Sequence, residues 1–218
     1  LSIETLGEDI VDFTEALDLK DMVALGWSMG AMALWSAAGR LKGRLQALIV
    51  EEMAPRLTND ADWAFGLSGG YAQADVAATL AEIRADWPAY VARFAPRMFA
   101  PSARTERPEL VEWARAEMSA GDGAAMAAFW ASMAAQDFRA ELGAIDAPML
   151  VLHGAESQVY PDGATAFVAN AAQNGAHIII PGVGHVPHLE APDAFFQQVE
   201  AFTRTTRRRE TKSGGAVP

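Results

Sequence analysis

Apolar positions recur along the chain with two different periods. One stripe of apolar residues, at alternating spacings of three and four, predicts an amphipathic helix that ends near Leu19. Runs that are apolar at every position predict buried parallel strands. These runs cover residues 22–25, 45–50, 148–153 and 178–180, and further helices are predicted over residues 29–38, 163–172 and 192–203. This alternation predicts an α/β fold with a mostly parallel sheet flanked by helices.

The middle of the chain does not follow this alternation. Residues 56–145 contain several helical stretches, interrupted by glycine and proline, and no convincing strand. We therefore interpret residues 1–55 and 146–205 as one α/β core and residues 56–145 as an inserted all-helical cap. Residues 206–218 have no apolar period and are predicted to be a disordered tail.

Composition narrows the possible partners. The 218 residues carry a formal net charge of −11, which disfavours binding to nucleic acid or to anionic membranes. There is no cysteine, so disulfides and thiolate metal sites are excluded, and we expect neither a metal nor a cofactor. No run is long enough to span a bilayer and no signal peptide is recognisable, so we expect a cytoplasmic protein acting on a small molecule.

The sequence GWSMG at residues 26–30 matches the pattern G-x-S-x-G between a predicted strand and a predicted helix. A sharp strand-to-helix turn exposes Ser28 as a nucleophile, and the Met29 N–H at the helix start can donate to an oxyanion. We expect Gly26 and Gly30 both to be required, because a β-carbon at either position would clash. The alternative interpretation is that residues 26–30 form an ordinary glycine-flanked turn from a strand to a helix, with no nucleophile.

A serine nucleophile needs a base within hydrogen-bonding distance. Of the four histidines, His185 follows the strand at residues 178–180, so it lies at the same carboxyl edge of the sheet as Ser28. His153 and His177 are placed within or at the start of strands, which suits packing. His188 either lines the site or faces solvent. We therefore predict that His185 is the base.

Three segments together resemble the capped α/β-hydrolase family: the turn at 26–30, PMLVLHG at 148–154 and GVGHVPHLEAP at 182–192. The resemblance covers nearly the whole chain. It implies a hydrolase that needs no cofactor, and such relatives are mostly esterases, lactonases, thioesterases and carbon–carbon bond hydrolases, with some perhydrolases.

The resemblance is incomplete at the third member of the triad. Most relatives have an aspartate where this chain has Ser157, and a serine cannot stabilise an imidazolium as a carboxylate does. Some relatives carry the acid after the strand that follows the nucleophile helix, which aligns with Glu52. Adjacent residues point to opposite sides, so only one of Glu51 and Glu52 should face His185. Glu52 is our choice, with Glu51 and Glu156 as alternatives.

The family's second oxyanion donor comes from a loop after an earlier strand, and nothing before Ile3 could supply it. We therefore expect the N-terminal part of the sheet to be missing. The strand at residues 22–25 would then be an exposed apolar edge, which a partner chain or a second copy could cover.

Aromatic residues and methionines are abundant in the cap, and Trp27 adjoins the nucleophile. Such residues mostly form core, but some must face Ser28, and we expect Trp27 to bind substrate. The sequence thus predicts a serine hydrolase that cleaves an ester of a small, partly apolar substrate through an acyl-enzyme. The alternatives are a perhydrolase or carbon–carbon hydrolase on the same residues, and an inactive fragment or binding protein.

Overall fold

A computed structural model describes residues 1–213 of the chain, with side chains as far as Thr206. Its centre is a four-stranded parallel sheet in the order β1-β2-β3-β4. The strands are β1 (Met22–Trp27), β2 (Leu45–Glu51), β3 (Met149–Gly154) and β4 (Gly175–Ile180). The predicted α/β fold with a parallel sheet is confirmed.

Helices surround this sheet and occupy much of the segment between β2 and β3, for which we keep the name cap. They are α1 (Ile3–Ala16), α2 (Met29–Ala38), α3 (Gln73–Ala85), α4 (Trp87–Phe94), α5 (Pro101–Glu106), α6 (Pro108–Ser119), α7 (Gly123–Ala135), α8 (Asp162–Ala171), α9 (Pro187–Glu190) and α10 (Pro192–Ser213). Two short 3-10 helices cover Ala95–Met98 and Leu142–Ala144. Between β2 and β3, the helices begin only at Gln73, and residues 52–72 form turns and irregular structure with two isolated β-bridges. The expectation of an all-helical segment over residues 56–145 is therefore wrong for its first part, although the described residues of the segment contain no strand.

The central strands bury apolar side chains on both faces of the sheet. In β2, Leu48 and Val50 join the large cluster that includes α2 and the cap, whereas Ile49 faces the opposite side. Phe195 of α10 packs on that opposite side against Ile49 and Leu150. Burial on both faces explains why these strands are continuously apolar in the sequence.

β1 forms one edge of the sheet and pairs only with β2 among the described strands. Leu25 of this strand is 44% exposed, whereas the four inner residues 47–50 of β2 are fully buried. The edge expected from the sequence is therefore exposed in the structure.

The C-terminal helix α10 continues to Ser213, past residue 206, where we expected a disordered tail to begin. Residues 214–218 of that expected tail lie outside the described residues. Across the part of the chain that is described, none of the helices has the length and apolarity needed to cross a membrane.

The turn between β1 and α2 depends on one glycine rather than two. Ser28 has a φ of 49°, in the left-handed region that favours glycine. A β-carbon on Gly26 would lie 2.6 Å from the Ala31 nitrogen, whereas a β-carbon on Gly30 would meet nothing within 4 Å. The expectation that both glycines prevent a clash is wrong for Gly30, because residue 30 lies on the open side of the first helical turn and lines a cavity.

Because Gly26 is crowded and Gly30 is not, the same substitution at the two positions should have different effects on stability. We expect Gly26→Ala to lower the free energy of unfolding by at least about 2 kcal/mol, because the new methyl group would overlap backbone atoms that cannot move independently. Gly30→Ala should change it by less than about 0.5 kcal/mol. Urea unfolding of both variants tests this, and equal destabilisation would contradict the geometry of the turn.

Candidate active site

The candidate site residues meet at the carboxyl edge of the sheet. Ser28 follows β1, Glu52 follows β2, and His185 follows β4. Because parallel strands end at one edge, residues far apart in the chain converge there. Ser28 and His185 line the same cavity, whose volume is about 380 Å³.

Ser28 is held by its backbone and leaves its hydroxyl uncommitted to the helix. Its N–H donates to the Glu51 carbonyl at 2.9 Å, and its carbonyl accepts from the Ala31 N–H at 2.9 Å. The Ser28 side chain makes no capping hydrogen bond to α2. Met29, the first residue of α2, also lines the cavity, and an N–H at this position has no partner within its helix. One helix N-terminus thus presents both a hydroxyl and an N–H to the cavity.

His185 is 2% exposed and is held by its backbone on both sides. Its N–H donates to the Met98 carbonyl at 2.7 Å, and its carbonyl accepts from Nε1 of Trp27 at 2.8 Å. Its Nδ1 lies 3.3 Å from Oε2 of Glu52. This pairing directs the second ring nitrogen, Nε2, away from the carboxylate and leaves it available to another group.

Glu52 is fully buried beneath the imidazole and has a left-handed backbone, with a φ of 53°. Its Oε1 accepts from the Gly154 N–H at 2.5 Å, and its Oε2 accepts from the Ser157 hydroxyl at 2.9 Å. Nδ1 of His153 lies 2.7 Å from Oε1.

The charge state of Glu52 follows from these neighbours. Burial alone would raise the pKa of its carboxyl group, but the imidazoles of His153 and His185 outweigh burial and hold the pKa of Glu52 below its usual value. The group is therefore a carboxylate at neutral pH.

The two alternative acids, Glu51 and Glu156, form no hydrogen bond or ion pair with His185. Glu51 is also buried, but its Oε1 accepts from the His188 N–H at 3.0 Å and lies 2.8 Å from His188 Nδ1. Glu156 is exposed on the loop after β3. As the alternation of side chains predicts, only one of the adjacent pair faces His185, and that residue is Glu52.

Ser157 has a role that the sequence did not reveal. It stands where the family resemblance led us to expect an aspartate, and its hydroxyl donates to the carboxylate of Glu52. The only signal in the sequence was the absence of an aspartate at position 157, together with the glutamates at positions 51 and 52. The partnership between residues 52 and 157 depends on the fold, because 105 positions separate them.

Glu190 joins the histidine loop to the cap and was also missed. Its carboxylate accepts from the Gly184 N–H at 2.6 Å and from the Ala100 N–H at 2.9 Å. Burial raises the pKa of Glu190 above its usual value, although both backbone N–H groups oppose this shift. Nothing near Glu190 in the sequence identifies its partner 90 positions away.

The cap supplies an apolar wall opposite Ser28. Five of its aromatic residues and four of its methionines line the cavity: Trp87, Tyr90, Phe94, Phe129, Trp130, Met98, Met118, Met126 and Met133. The indole N–H of Trp87 donates to the Met118 carbonyl at 2.7 Å, so the polar group of this side chain is already satisfied. Trp27 forms part of the same wall while bracing His185. Such a cavity suits an apolar group.

Known structures share this fold. A thermophilic esterase from Thermogutta terrifontis superposes with a TM-score of 0.82 at 23% identity, covering 94% of this chain and 73% of that one. An esterase from Exiguobacterium antarcticum has a TM-score of 0.83 at 19% identity, with 93% and 74% covered.

Sequence comparison identifies related enzymes and the family. A pimeloyl-[acyl-carrier protein] methyl ester esterase from Nitrosospira multiformis is 26% identical over 91% of this chain and 74% of its own length. A 3-oxoadipate enol-lactonase from Acinetobacter baylyi is 25% identical over 93% of this chain and 71% of its own. The profile of the alpha/beta hydrolase family matches residues 2–198. The chain therefore belongs to the α/β hydrolase family and is a hydrolase.

Proposed function

We propose that the chain hydrolyses a carboxylic ester through an acyl-enzyme on Ser28. The observation that carries this proposal is that Ser28 shares one apolar cavity with His185, while Nδ1 of His185 faces the buried Glu52. The relatives with related sequences include an esterase of a methyl ester and an enol-lactonase, which supports ester chemistry.

The reaction proceeds in two halves. Nε2 of His185 takes the proton of the Ser28 hydroxyl while the oxygen attacks the ester carbonyl, and the resulting imidazolium then protonates the leaving alcohol. In the second half, His185 removes a proton from water, and the hydroxide attacks the acyl-enzyme. The collapse of that intermediate releases the acid and returns the proton to Ser28.

In each half of the reaction, negative charge develops on the oxyanion and positive charge develops on the imidazole of His185. The Met29 N–H, at the start of α2, donates to the oxyanion, where the helix dipole also favours negative charge. The Glu52 carboxylate holds the Nδ1 proton of His185 and stabilises the imidazolium. Because Glu52 is fully buried, water screens this interaction little.

The cavity favours a small substrate with an apolar part next to the scissile ester. Peroxide-dependent oxidation and carbon–carbon cleavage use the same three residues, so substrate profiling with and without hydrogen peroxide distinguishes them from ester hydrolysis.

The first test is active-site labelling combined with ester hydrolysis. We expect a fluorophosphonate probe to label the chain at one site, and Ser28→Ala to abolish both labelling and hydrolysis of short acyl esters. Ser36→Ala, a serine on the far half of α2, is the matched control and should retain both activities. Labelling that persists in Ser28→Ala would overturn the assignment of the nucleophile.

The second test compares the three glutamates considered for the acid. We expect Glu52→Gln to lower kcat about 10³- to 10⁴-fold, because an amide neither fixes the imidazole tautomer nor stabilises its charged form. Glu51→Gln and Glu156→Gln should stay within about tenfold of the native chain, which corresponds to about 1.4 kcal/mol. A comparable loss in Glu51→Gln would reassign the acid.

The third test uses the position that departs from the family pattern. In Ser157→Asp, a second carboxylate would lie beside that of Glu52, so one of the pair should have a raised pKa. A raised folded-state pKa means that stability is lost as pH rises above the unfolded value of about 4. We therefore expect Ser157→Asp to be less stable than Ser157→Asn at pH 7, with the difference shrinking toward pH 4. Urea unfolding at both pH values measures this, and a constant difference would contradict it.

A further inference from the structure

A second cavity, of about 250 Å³, adjoins the one that holds Ser28. We call it the side pocket. The two cavities share five lining residues: Leu67, Tyr90, Phe94, Trp130 and Val159. These shared residues form the boundary between an apolar chamber at the nucleophile and a more polar one beyond it. The two cavities are therefore neighbours, and a longer substrate would have to pass between these shared side chains to reach the side pocket.

Three charged residues line the side pocket: Glu82, Arg93 and Arg97. The guanidinium of Arg93 donates to Glu82 at 2.7 Å, so these two charges compensate each other. Among the residues with described side chains, Arg97 makes a single hydrogen bond, to the Gln158 carbonyl at 3.3 Å. No carboxylate lies within ion-pairing distance of Arg97 among the side chains described up to Thr206. The side pocket thus holds one uncompensated positive charge, in a chain whose net charge is −11.

The hydroxyl of Tyr90 adds a neutral donor at the boundary of the two cavities. It lies close enough to Glu82, Arg97 and Arg93 for the charges of all three to influence it. Burial, the largest influence, raises the pKa of Tyr90 well above its usual value, so the phenol keeps its proton. Within the described part of the chain, the structure contains no hydrogen bond from this hydroxyl.

We infer that Arg97, with Tyr90, binds a carboxylate at the far end of an ester substrate whose acyl chain fills the apolar cavity. This inference rests on the proposed ester hydrolysis and adds a substrate class, the monoesters of dicarboxylic acids. A guanidinium presents paired N–H donors that match the two oxygens of a carboxylate. A single uncompensated charge suits a carboxylate better than a phosphate group, which carries nearly two negative charges at neutral pH.

The test compares two series of substrates that differ only in charge. Monomethyl esters of linear dicarboxylic acids carry a free ω-carboxylate, and their ω-carboxamide counterparts have the same size without the charge. We expect the native chain to show a kcat/KM at least about fivefold higher for the acid at the best chain length. Arg97→Gln should lose this preference, so that acid and carboxamide are hydrolysed with similar kcat/KM, whereas Arg97→Lys should retain part of the preference.

Arg84→Gln is the matched control, because Arg84 is exposed like Arg97 but lines neither cavity. It should keep the native preference. Equal rates for acid and carboxamide in the native chain, or a preference that survives in Arg97→Gln, would overturn the inference while leaving ester hydrolysis intact.

Failure of the proposed function would look different, since neither series would be hydrolysed. In that case, binding of both series to Ser28→Ala by calorimetry decides the inference independently of turnover. Tighter binding of the acid that depends on Arg97 supports it, and equal binding of acid and carboxamide rejects it.

Discussion

The carboxylate of Glu52 joins the segments that make up the candidate site. It accepts from the N–H of Gly154 at the end of β3 and from the Ser157 hydroxyl, and it faces Nδ1 of His185. A charge buried without such partners would cost several kcal/mol, on the order of the stability of a whole domain. The ends of β2, β3 and β4 are therefore held in one arrangement by the same group that orients the imidazole.

The cap and the histidine loop are held together by contacts that also close the cavity. The Met98 carbonyl accepts from the His185 N–H, and Glu190 connects Ala100 in the cap to Gly184 beside the histidine. Because these contacts join the apolar wall to the proposed base, movement of the cap would displace His185 as well. Exclusion of water and alignment of the base thus have a common structural origin.

Much of the fold follows from local patterns. The runs of apolar residues predicted the four described strands, and for the central strands β2 and β3 the reason is that a strand buried on both faces has no polar positions. Proline and glycine breaks predicted the helical region between β2 and β3. The end of α10 was less predictable, since the helix continues to Ser213 through residues that show no apolar period in the sequence.

The sequence by itself determined the family, and it was sufficient to predict the two candidate residues whose local context is distinctive, Ser28 in its strand-to-helix turn and His185 after β4. Only the tertiary structure decided which carboxylate faces the histidine, because Glu51 and Glu52 are chemically alike and differ only in the side to which each points. It also decided that Ser157 donates to that carboxylate. The physical reason is that hydrogen bonds between segments some 100 residues apart depend on strand order and backbone direction, which leave no trace in the spacing of residues along the chain.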